Sequence, residues 1–237
     1  MTPDLIDLVG FGSQGWGLPL LRAAGVTFSA AVCGFLLGSL LGVLGSILKL
    51  SRYIILRGIG QSYTTIFRGV PEILVVYLFY FGGSLVLTKA MNAGGITGFY
   101  SLPGFATGVM AVGIVSGAYQ TEAFRSAFLR LDRGQLDAGL STGMSDQLLL
   151  RRIIAPQTLR FALPALGNIW QSALKETSLL SVIGLTELLR QAGTAAGSTH
   201  QPLLFYTVAA VMFFIIGRST GHVIRRFENH LAKPWRR

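Results

Sequence analysis

Long apolar runs separated by short basic or glycine-rich stretches organise the chain. Ala23 to Leu48 carries no charge and is long enough to cross a hydrocarbon core of about 30 Å with some tilt. Ile73–Thr88, Phe105–Phe128, Phe161–Val182 and the run from Pro202 follow the same pattern. The pattern predicts an all-α polytopic membrane protein with five transmembrane helices, at about 20–48, 69–88, 105–128, 161–182 and 202–224, in one transmembrane domain over residues 1–237.

Details within the runs sharpen this. Gly34, Gly38 and Gly42 fall every fourth residue of the first span, one bare helix face that predicts close packing inside the subunit. Pro71 is placed in the first turn of the second span, with Glu72 suited to the dipole there. In the third, Glu122 and Arg125 share a face, and Arg68 is a second partner for a structural ion pair at the cytoplasmic boundary. The fourth is too polar to face lipid all round. Asn168, Gln171, Lys175 and Ser178 form one stripe, either lining a translocation path or making a seam between helices. Between the fourth and fifth spans, GLTELLRQAG predicts a short external helix capped by Thr186 and ending near Gly193.

Between the third and fourth spans lies a polar island, Gly134 to Pro164, with a loop expected at 134–160. Leu136, Leu140, Met144, Leu148 and Leu149 recur at helical spacing among Arg151, Arg152 and Arg160, while Gly143, Pro156 and Pro164 break the pattern. A helix–turn–helix lying along the membrane surface is expected, and it needs something to dock on.

Charge sets the orientation. The net charge is +10, which by itself would suit nucleic acid, yet the basic residues sit between apolar runs, where the positive-inside rule accounts for them without any nucleic-acid partner. Of the twenty Lys and Arg, all but Arg22, Lys89, Lys175 and Arg190 fall on one side if the N-terminus is periplasmic and the C-terminus, with Arg218 onward, cytoplasmic. The N-terminal stretch, with Asp4 and Asp7 and nothing basic before Arg22, lacks a signal-peptide start and is expected to be retained. The single cysteine, Cys33, excludes an internal disulfide. No phosphate loop, metal-ligand cluster or nucleophile–base pair is present, so no catalytic residue, metal or cofactor is assigned. Gly139-Leu140-Ser141-Thr142-Gly143 matches the hydrolase nucleophile elbow, but it lies in a helical loop rather than after a strand.

The spacing D-A-G-x3-G-x9-I-x-x-P, Asp137 to Pro156, resembles the cytoplasmic loop by which permease subunits of ATP-binding-cassette (ABC) importers engage their ATPases. Asp137 stands where that loop usually has Glu, Gly139 where it has Ala, and Ala155 where it has Leu. TTIFRGVPEILVVYLFYFG and ALPALGNIWQSALKETSLLSVIGLTELL are similar to polar amino-acid permeases of the histidine, arginine and octopine-type group. The resemblance implies a type I importer permease (MetI-like) fold with a cytoplasmic coupling helix, in a bacterial inner membrane. It implies a second permease subunit, identical or paralogous, two cytosolic ATPases that bind ATP and Mg, and a periplasmic substrate-binding protein. Asp137, Ala138, Gly139, Leu140, Gly143 and Met144 would then contact the ATPase. Glu72 and Glu122, both expected at the boundary, and the stripe Asn168, Gln171, Lys175 and Ser178 are candidates for meeting a basic amino acid or opine. A permease for another small polar solute, and a passive channel or scaffold without an ATPase, are the alternatives.

Overall fold

The computed structural model describes residues 5–12 and 15–232, all helices and connections; Asp4, Lys233, Arg236 and Arg237 lie outside them. After a short helix α1 (Leu5–Val9) comes α2 (Gly17–Leu50), longer at both ends than the apolar pattern implies. Next come α3 (Ile54–Gly69), α4 (Glu72–Tyr77) and α5 (Gly83–Ala93), the last two joined by a π turn at Leu78–Gly82. Then follow α6 (Gly104–Phe128), α7 (Arg133–Ser141), α8 (Asp146–Leu149), α9 (Ala155–Glu176), α10 (Leu188–Thr199) and α11 (Pro202–Ala232). Among the described residues three helical stretches, Gly17–Leu50, Glu72–Ala93 and Pro202–Glu228, are long and apolar enough to cross a membrane by composition alone. α6 and α9, of 25 and 22 residues, are of comparable length but fall short of that apolar composition.

The glycine face of α2 is spent inside the chain. A Cβ on Gly34 would meet Val112, on Gly38 Ser116, on Gly42 Gln120 and on Gly45 Thr121, so α2 and α6 lie side by side and parallel. Gln120 is fully buried between them, donating to Phe35 O (3.1 Å) and accepting from Ser39 Oγ (2.8 Å). Gly38→Leu is expected to lower the thermal midpoint of the detergent-solubilised protein, since its Cβ would lie 2.2 Å from Ser116 Oγ and 3.0 Å from Gly117 N. Overpacking of this kind costs about 1–3 kcal/mol; an unchanged midpoint would contradict the packing described.

The other directions follow from contacts. Ala127 clusters with Ala162 and Leu166 while Gly108 abuts Leu180, so α9 runs antiparallel to α6. Gly167 faces Ile224 and Gln171 faces Gly217, so α11 is antiparallel to α9. Val76 packs with Ala111 and Val112, and Ser84 Oγ accepts from Leu102 N (3.0 Å), so α4–α5 oppose α6.

Three expectations change. The connection before the second span is the amphipathic helix α3, which packs along α2 and α6, so the chain enters the bundle before residue 69 and breaks at Val70–Pro71. Proline has no N–H to give and holds the residue before it extended, which ends α3 and starts α4 at Glu72, with Pro71 outside the first turn. The fourth helix starts earlier than residue 161: α8, a π turn at Leu150–Ile154, α9 and a 3-10 segment at Thr177–Ile183 follow without a gap. The π turn ends at Ile154, two residues before Pro156, and Pro164 is carried inside the helix, so neither proline separates a second surface helix. The cap of α10 is Glu187, one residue past Thr186; its carboxylate accepts from Leu189 N (2.9 Å) and Arg190 N (2.8 Å), and α10 continues through Gly193 to Thr199. Leu188 N in turn donates to Thr27 Oγ1 (3.0 Å), fastening α10 to α2.

Candidate functional site

The loop between α6 and α9 is built by its caps. Asp132 Oδ1 accepts from Gly134 N (2.9 Å) to open α7, and Ser145 Oγ accepts from Leu148 N (3.4 Å) to open α8. Between them Met144 N donates to Gly139 O (3.2 Å) and Gly143 N to Leu140 O (2.9 Å), with Gly143 at φ +79°. This is a Schellman ending, which requires the left-handed residue that glycine supplies without strain. A Cβ on Gly139 would lie 2.6 Å from Leu149 Cδ1, so this buried glycine lets α7 close on α8 instead of presenting a surface. Met144 is half-buried beside it, which leaves Asp137, Ala138, Leu140 and Gly143 on the outer side, Leu140 at 50% exposure. Gln157 Nε2 donates to Gln135 Oε1 (2.7 Å) and ties α7 to the first turn of α9.

Deeper in the bundle, α9 and α11 enclose a groove of about 660 Å³. Asn168, Gln171 and Lys175 line it from α9, and Arg218, Arg225 and Glu228 from α11. Gln171 Nε2 donates to Gly217 O (2.9 Å) and the side chain lies close against Gly217 and Gly221, so here the stripe is both a seam and a wall. Ser178 drops out of it. The helix tightens from Thr177 onward to about three residues per turn, and Ser178 Oγ turns back to Lys175 O (2.7 Å). Arg218, expected in the cytoplasmic tail, is instead midway along α11, two residues after Ile216, which packs with Ala31, Trp170 and Leu174 near the middle of α2. Gly217 and Gly221, four apart, were the sequence signal for this close approach.

The ionisable candidates separate into two settings. Glu122 pairs with Lys49, with Arg125 Nε (3.1 Å) and with Arg68 (3.9 Å), while the Arg68 guanidinium lies 5.3 Å from the centre of the Tyr119 ring. Lys49, only 6% exposed and also bonded to Thr64 Oγ1 (3.0 Å), is the partner that charge counting assigned to a loop. With three cations around it, Glu122 is a structural hub and not a free carboxylate. Glu72, expected at the boundary, stands midway along α2 in the bundle. It faces Val112, Val115 and Glu176 across a narrow gap, level with Gly34 of α2 because Val112 packs on that glycine. Glu176, unremarked in the stripe, has one buried carboxylate oxygen with no hydrogen bond among the described residues.

A family described as the binding-protein-dependent transport system inner membrane component matches residues 34–231. The chain belongs to that family. An octopine transport system permease of Rhizobium meliloti is 46% identical over 98% of this chain and 98% of its own. The histidine/lysine/arginine/ornithine permease of Escherichia coli is 33% identical, covering 90% of this chain and 93% of its own. The solved structure of an amino acid ABC transporter with histidines superposes with a TM-score of 0.77 at 27% identity, over 97% of this chain and 100% of that one. Fold, length and relatives agree that this is a membrane permease subunit of the amino-acid and opine ABC transporter kind.

Proposed function

We propose that the chain is one transmembrane subunit of an ATP-driven importer that carries a basic amino acid, or an opine built on one, from periplasm to cytoplasm. The observation that carries this is the end-to-end match to an octopine permease, together with a polar face on α9 at mid-bundle depth. In this reading α2, the broken run α3–α5, α6, α9 and α11 are the five crossings, and their alternating directions support that count. Periplasmic N-terminus and cytoplasmic C-terminus put α7 on the cytoplasmic side. A second permease subunit, two ATPases that bind ATP and Mg, and a periplasmic binding protein complete the assembly. Asp137, Ala138, Leu140 and Gly143 meet the ATPase cleft, Gly139 and Met144 set the shape of the loop behind them, and Glu72 with Glu176 sets negative charge beside the path of a cationic solute. Asn168, Gln171 and Lys175 line the path.

The test is uptake into vesicles holding the permease, its ATPase and its binding protein. Labelled arginine should accumulate only with ATP, and unlabelled histidine, lysine and octopine should compete while glutamine and methionine should not. ATP-independent equilibration, or competition by every small solute alike, would overturn the proposal.

A further inference from the structure

The charges at mid-bundle depth are sorted by side. Glu72 and Glu176 face the α4–α6 side of α9, whereas Lys175 and Arg218 look into the groove between α9 and α11. Neither Lys175 nor Arg218 makes an ion pair among the described residues, although Leu174 and Ile216 beside them pack on Ala31, near the centre of α2. Both side chains are exposed in the single chain and open to an anionic partner, with no carboxylate in ion-pair reach among the described residues. Glu228 does not serve Arg218, being ten residues further along α11, about 15 Å at helical rise. Gln171 is turned to the backbone of Gly217. The groove therefore offers a planar guanidinium, an ammonium and the amide of Asn168 to whatever enters it.

We propose that this groove holds the carboxylates of an N-carboxyalkyl amino acid, and that Arg218 distinguishes such a solute from the plain amino acid. The inference rests on the function proposed above and narrows its substrate. Octopine is arginine with a 1-carboxyethyl group on the α-nitrogen, so it brings a second carboxylate to the level of the groove where Lys175 and Arg218 stand, Arg225 lying two turns further along α11. The fork of an Arg side chain takes a carboxylate through two parallel hydrogen bonds, which a Lys does not reproduce.

The experiment is equilibrium binding of labelled octopine and labelled arginine to the purified permease–ATPase complex in nanodiscs, without the binding protein. Arg218→Gln is expected to weaken octopine about tenfold or more and arginine about threefold or less, in line with loss of a charge-assisted pair. Arg218→Lys should fall between, and Arg226→Gln should match wild type. The thermal midpoint of the ligand-free R218Q complex should equal or exceed that of wild type, because an unpaired charge has been removed. Equal loss for both solutes, no loss, or no binding by wild type would overturn the groove assignment. So would a lower ligand-free midpoint, which would mean that Arg218 pairs with an acidic residue of another subunit. Uptake by the wild-type assembly with its binding protein is scored separately. If neither basic amino acids nor opines are taken up, the transport reading itself fails; if they are, and R218Q does not discriminate, only the groove assignment fails.

Discussion

Replacing Glu122 with Gln is expected to destabilise the bundle by roughly 3–5 kcal/mol, the usual result of leaving one charge of a buried pair uncompensated. The charge left behind is Lys49, whose ammonium is held between Glu122 and Thr64 where α2, α3 and α6 meet. Arg125 and Arg68 are 35% and 44% exposed, so neutralising either should cost about 1 kcal/mol or less. Thermal unfolding of the purified protein distinguishes them: a large drop for E122Q, small drops for R125Q and R68Q. The double variant Lys49→Met with Glu122→Gln should recover much of the loss, because it removes both charges together. A double variant as unstable as the single one would show that the carboxylate matters for some reason other than Lys49.

Gly143→Val is expected to reach the membrane at wild-type levels yet lose most of the ATPase stimulation by loaded binding protein. A Cβ there meets nothing within 4 Å, so the damage comes from backbone alone: φ is +79°, and a β-branched residue resists it. Holding an L-residue in that region costs about 1–2 kcal/mol, enough to open the Schellman turn while leaving the spans untouched. Gly143→Asn tests the cause, since asparagine tolerates left-handed backbone. Recovery of stimulation with Asn assigns Gly143 a turn-forming role; continued loss with Asn assigns it a contact with the ATPase. Full stimulation in G143V would remove the loop from the coupling path.

What could be read from sequence followed how local each cause was. Gly34, Gly38 and Gly42 declared a close helix contact because small residues at one period need no further context, and their partner face on α6 bears Gly113 and Gly117 in return. The polar stripe was visible as far as Lys175; it failed at Ser178 because a change of helical pitch cannot be seen in residue types. α3 was hidden by Arg52 and Arg57, which read as loop, although Ile55, Ile59, Tyr63 and Phe67 recur every fourth residue. Charge counting put Lys49 in a loop and Arg218 in a tail, whereas both sit within helices, because it assigns a basic residue to a side without asking whether an acid or a groove awaits it. Pro156 and Pro164 were read as breaks because local propensity was weighed alone; packing of Ala162, Leu166 and Trp170 against neighbouring helices overrides it.

The unbroken course from Asp146 to Ile183 has a mechanical result. In the proposed importer, the arm from Gln157, where α7 holds the helix through Gln135, to Lys175 is about 27 Å at helical rise. A tilt of about 5° at that grip would sweep Lys175 sideways by about 2 Å by the same geometry. Pro164 is the place on that arm where bending would absorb part of the motion, so in this reading the stiffness of the helix about that proline sets how much of a displacement at the loop reaches Lys175.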